Sequence, residues 1–92
     1  MTTVNPQLLN KAIDHIDRDR LVKLVMDLVD IPSPTGYEGD VARALNDVLL
    51  QSGFDSVLQP VGDERYNAVA RLQGNGGGKS LMFNGHLDTS FG

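Results

Sequence analysis

Val41-Ala42-Arg43-Ala44-Leu45-Asn46-Asp47-Val48-Leu49-Leu50-Gln51-Ser52-Gly53-Phe54 is the stretch on which the fold turns. Val41, Leu45, Val48 and Leu49 recur at the spacing of one helical face, and Gly53 suits the left-handed residue just past a helix end. Beyond it the period changes. Phe54 to Val61 is rich in branched and apolar residues, and residues 67–72 alternate Ala68, Ala70 and Leu72 against Val69 and Arg71. Such a switch from helical to strand periodicity predicts a helix followed by two strands, and so an α/β chain.

Upstream, Leu21, Leu24, Val25, Leu28 and Val29 form one helical stripe starting at Asp17, and Pro32 and Pro34 stop it. Thr35-Gly36-Tyr37-Glu38 has the form of a capping box, which predicts that the next helix starts there with Thr35 and Glu38 satisfying free backbone N–H groups. Leu8, Leu9, Ala12, Ile13 and Ile16 give a weaker helical pattern, so residues 1–16 are expected to be a helical lead-in. Downstream, Gly74-Asn75-Gly76-Gly77-Gly78 reads as a turn and Leu81-Met82-Phe83-Asn84 as a third strand, apolar on both faces. The expected order after the lead-in is two helices and then three strands. An apolar third strand at the end of a sheet would be an open edge, and residues 89–92 carry no terminating feature, so the chain is expected to be truncated.

The composition is that of a globular chain, with 40% apolar and 22% charged residues over 92 positions. A net charge of -4, with acids and bases interspersed, argues against nucleic acid or an anionic membrane as partner. There is no cysteine, which excludes thiolate metal sites and disulfides. The first residues lack the pattern of a signal peptide, and a cytoplasmic location is expected.

Two segments carry chemistry. Gly74 to Ser80 resembles a phosphate-binding loop, which would make a nucleotide-binding module the alternative function. The spacing misses by one, because Gln73 stands where the first glycine is needed, and the following residues read as strand where such a loop opens a helix. A hairpin turn with a solvated Lys79 fits better. The second segment is Asn84-Gly85-His86-Leu87-Asp88-Thr89, at the expected end of an apolar strand. His86 and Asp88 are two apart, so in extended backbone they project to one side. A neutral imidazole can bind zinc while a carboxylate holds its other nitrogen, and Gly85 would let the backbone approach a neighbour closely. The triplet alone also fits a polar strand end. His15, in the lead-in, reads as a solvated surface residue.

Taken in order, Ile31-Pro32-Ser33-Pro34-Thr35-Gly36-Tyr37-Glu38-Gly39, the helix ending Gly53-Phe54, Asn67-Ala68-Val69-Ala70 and Leu81 through Thr89 resemble metallopeptidase family 20. That family includes acetylornithine deacetylase, succinyl-diaminopimelate desuccinylase, aminoacylase and glutamate carboxypeptidases. The resemblance runs from about Asp17 to the last residue, and motifs in register are far more specific together than singly. It implies that residues 1–92 are the N-terminal part of a zinc-peptidase-like α/β catalytic domain. It further implies a zinc-dependent hydrolase of amide bonds, peptidase or deacylase, with two zinc ions in the full-length protein. His86 would be a metal ligand, and Asp88 a catalytic position orienting the imidazole. The remaining ligands and the general base would lie beyond Gly92, so these residues alone are expected to be inactive. A small peptide or N-acyl amino acid is the implied substrate, and a homodimer would form through a domain absent here. A non-catalytic binding or regulatory homologue of the same fold is the competing expectation.

Overall fold

The computed structural model describes residues 5–89 and contains three helices and one two-stranded sheet. Helix α1 spans Pro6–Asp14, α2 Arg18–Val29 and α3 Gly39–Gln51; strands β1 (Asp55–Gly62) and β2 (Arg65–Arg71) follow. Within the expected lead-in, residues 6–14 are helical, and residues 1–4 lie outside the described residues. Asn5 caps α1, its Oδ1 accepting from the N–H groups of Gln7 and Leu8 at 2.9 and 3.3 Å, with Pro6 in the first turn, where its missing N–H costs nothing. Asp17 caps α2 by accepting from the Arg20 N–H at 3.1 Å.

The end of α3 follows from its sequence. Gly53 adopts φ +90°, the Phe54 N–H donates to Leu49 O at 3.0 Å and the Gly53 N–H to Leu50 O at 3.2 Å. This is a Schellman closure, which satisfies carbonyls the helix leaves free and turns the chain into β1. The start differs from expectation. No capping box forms: Glu38 is the cap residue but makes no side-chain cap bond, and α3 begins only at Gly39. Both side chains of the expected box are held by other partners, described below.

β1 and β2 form an antiparallel hairpin with Val57 opposite Val69 and Leu58 opposite Ala68, irregular near its turn. Glu64 turns the hairpin at φ 57°, a region a non-glycine residue seldom occupies. α3 packs on one face of this sheet. Val41 and Ala42 are its buried apolar side chains, while Leu45, Val48 and Leu49 of the expected face are only half-buried. Ser56 donates to Asn46 Oδ1 at 2.6 Å across the α3–β1 contact, and the Arg43 guanidinium lies 5.0 Å from the centre of the Tyr66 ring. α2 leans on the end of α3 through Arg20, which donates to Ser52 Oγ at 2.9 Å. In the α2 stripe, Leu24 and Leu28 are half-buried, whereas Leu21, Val25 and Val29 stand exposed.

The third strand does not form among the described residues. Leu81, Met82 and Phe83 are 78%, 87% and 88% exposed and pair with nothing regular. A strand is made by ladder hydrogen bonds to a neighbour, and residues 81–84 run along neither outer edge of the hairpin. The fold of the described residues is thus α/β, with three helices and two strands. Its accessible surface is 8204 Å², where a compact monomer of this mass exposes roughly 5,200 Å². The radius of gyration, 15.8 Å, likewise exceeds the roughly 12 Å of a compact domain of this length. Much apolar surface is left uncovered, on α1, on α2 and on the outer sheet face at Val57, Val61 and Val69.

Candidate functional site

Two loops meet at the candidate site: residues 31–38 between α2 and α3, and residues 84–89. Their junction is an isolated parallel bridge between Pro34 and Thr89, in which the Thr89 N–H donates to Ser33 O at 2.7 Å. Ser33 is buried beneath it. The first loop holds its own shape through a turn, the Tyr37 N–H donating to Pro34 O at 2.9 Å. Gly36 has φ +96°, which a glycine adopts without a Cβ penalty.

The two expected site residues do come together. Nδ1 of His86 lies 3.5 Å from Oδ1 of Asp88, while the other Asp88 oxygen, Oδ2, accepts from the Thr35 hydroxyl at 2.7 Å. Asp88 is 30% exposed and His86 94% exposed, so Nε2 of the imidazole has room for a ligand. The pair does not sit at a strand end, since residues 81–88 are irregular. Nor does Gly85 approach another segment closely: a Cβ there would meet nothing within 4 Å. His15 is remote from the site, in the α1 C-cap position, exposed, with Nδ1 2.7 Å from Lys11 O.

Glu38 and Arg65 are partners that sequence reasoning missed. Arg65 donates from Nε to Oε2 of Glu38 at 3.0 Å and from Nη2 to Oε1 at 3.2 Å, while the Gly36 N–H donates to Oε1 at 2.7 Å. A forked guanidinium on a carboxylate is a strong and directional pair. The Arg65 hydrogen bonds first, and the Gly36 N–H second, hold the Glu38 carboxyl below its ordinary range. Arg65 is raised in turn, mainly by Glu38 and slightly by the Asp88 charge. The signal available in the sequence is Glu38 itself, whose capping-box spacing accounts for it without a distant partner.

Among the described residues, no group of three or more histidine, aspartate or glutamate side chains is arranged to hold a metal ion. His86 fits one ligand position, with a carboxylate behind one ring nitrogen and the other ring nitrogen accessible. A catalytic zinc takes three protein ligands, more than the described residues bring together. The glycine turn holds Gly76 and Gly77 at φ 89° and 82°, and no helix opens after it within the described residues. None of the described helices is long and apolar enough to cross a membrane.

The chain is 34% identical over 67 residues to a probable succinyl-diaminopimelate desuccinylase of Staphylococcus epidermidis, covering 73% of this chain. It is 31% identical over 75 residues, 82% of its length, to a putative LysW-lysine/LysW-ornithine hydrolase of Pyrococcus abyssi. A probable carboxypeptidase of Aspergillus clavatus is 32% identical over 81 residues, 87% of the chain. The aligned parts are only 16%, 20% and 18% of those relatives. The similarity thus points to proteins named for hydrolytic activities and spans a small part of each. No family model matches the chain, and no solved structure matches it.

Proposed function

We propose that this chain belongs to metallopeptidase family 20 and supplies the His86-Asp88 part of the zinc centre of an amide-bond hydrolase. The observation that carries this reading is the facing of His86 Nδ1 by Asp88 Oδ1 beside an open Nε2, in a chain similar to a desuccinylase, a hydrolase and a carboxypeptidase. In this role His86 holds the metal through Nε2, and Asp88 fixes the tautomer by accepting from Nδ1–H. Bound zinc supplies Lewis-acid polarisation of the scissile carbonyl and acidifies water. The loop from Ser33 to Glu38 forms the floor that fixes Asp88 in place. The substrate class is a small peptide or an N-acyl amino acid, and the products are a carboxylate and an amine. The remaining ligands, the general base and any dimerising domain belong to parts of the protein outside these 92 residues, and the enzyme works in the cytoplasm.

The test uses the protein translated from the whole reading frame. Its zinc content and its hydrolysis of N-succinyl and N-acetyl amino acids and of dipeptides are measured before and after chelation, and again in His86→Ala. Loss of hydrolysis on chelation, its return with zinc, and reduced zinc content in His86→Ala are expected. Unchanged zinc content in His86→Ala overturns the assignment of the ligand; zinc bound without hydrolysis of any of these substrates favours a non-catalytic homologue.

A further inference from the structure

We propose that Thr35 is a positioning residue of this centre, its hydroxyl holding Asp88 in the orientation from which Asp88 faces His86. The proposal rests on reading His86 as the metal ligand. Asp88 lies on a segment with no ladder or helix to fix its backbone, held by the Pro34–Thr89 bridge one residue away. A carboxylate there can turn about its side-chain torsions unless something outside its own segment holds it. Thr35 Oγ1 supplies such a hold, donating to Oδ2 at 2.7 Å. Each partner has the right capacity: the hydroxyl has one proton to give, and the ionised carboxylate only accepts. With Oδ2 occupied, Oδ1 is left for the imidazole, at 3.5 Å from Nδ1.

Thr35 is itself well placed to act as an anchor. It lies between Pro34, whose backbone bridges to Thr89, and Gly36, whose N–H is bound by Glu38. Glu38 is buried and clamped by Arg65 of β2. A continuous series of contacts therefore runs from the hairpin through Glu38 and the loop to Thr35, Asp88 and His86. Its chemical consequence at the last member is a preference for the Nδ1–H tautomer, which leaves the Nε2 lone pair available.

The experiment compares Thr35→Val, which keeps the shape and removes the donor, with Thr35→Ser, which keeps the donor. Both are made in the whole-reading-frame protein. Two quantities are read: zinc affinity by titration with a competing chelator, and the His86 tautomer by side-chain ¹⁵N NMR of the metal-free protein. Thr35→Val is expected to weaken zinc by about 10-fold, the low end for partners behind a metal-bound histidine, and to deplete the Nδ1–H tautomer. Thr35→Ser is expected to restore both. In an Asp88→Asn background Thr35→Val adds nothing, because its effect passes through Asp88. Overturning results are an unchanged tautomer in Thr35→Val, or an equal loss of affinity with Asp88→Asn present. The tautomer is read without metal, so it judges Thr35 whether or not His86→Ala loses zinc; a silent His86→Ala overturns the ligand assignment alone.

Discussion

Arg65 grips Glu38 with two hydrogen bonds, of 3.0 and 3.2 Å, across 27 positions of sequence, and so ties the β hairpin to the loop that carries Thr35. Arg65 is half exposed while Glu38 is buried, so water reaches one side of the pair only. The carboxylate also takes the Gly36 N–H, which makes it the hub of the loop.

A pH dependence follows. The Glu38 carboxyl is held below its ordinary value in the folded chain, so its contribution to stability is fully present above the ordinary glutamate range. As pH falls through that range the unfolded chain takes up the proton first, and the contribution is lost by the time pH passes the lower folded value. Glu38→Gln is expected to lower stability at neutral pH and to flatten its decline with acid, measured by urea unfolding from about pH 7 to about pH 3. An equally steep decline in the variant would count against the pair as a source of acid sensitivity.

The small core makes α3 sensitive to side-chain volume. Val41 is 3% exposed and Ala42 fully buried against the hairpin. Val41→Ala is expected to cost about 2 kcal/mol by removing two buried carbons, and Ala42→Leu about 1–3 kcal/mol by overpacking. Chemical denaturation with circular dichroism checks both.

Gly53 should resist substitution for reasons of backbone alone. Its φ is +90° and a Cβ would meet no atom within 4 Å. Gly53→Ala is therefore expected to cost roughly 1 kcal/mol, from the left-handed conformation and not from a clash. Gly53→Asn, which tolerates that conformation better, should cost less in the same unfolding measurement.

Leu81, Met82 and Phe83 present a run of apolar surface on an irregular segment. The 92-residue polypeptide is expected to bind a hydrophobic dye, and replacing Met82 and Phe83 by Ser to reduce the dye signal while leaving far-ultraviolet circular dichroism unchanged. A fall in helical signal would show that these residues support the fold.

Much of the local structure was legible from residue pattern. The three helices, the left-handed Gly53 and the two paired strands rest on periodicities and cap residues that act within a few positions, where the chain has no other partner to consult. The meeting of His86 and Asp88 was readable for the same reason, since they are two residues apart. The third strand was not. An apolar run specifies burial, but a strand also has to lie in register along a sheet edge, and residues 81–84 run along neither edge of the hairpin.

By itself, then, the sequence determined where the three helices lie, how α3 ends and which two side chains share the candidate site. Only tertiary structure decided what holds them. Thr35 and Glu38 had the spacing of a capping box, yet Thr35 bonds Asp88, 53 positions away, and Glu38 bonds Arg65, 27 away. The physical reason is competition: a hydroxyl and a carboxylate can satisfy a helix end, but an ionised partner brought within reach by packing offers a stronger hydrogen bond, and which partner arrives depends on how the loops and hairpin are folded together.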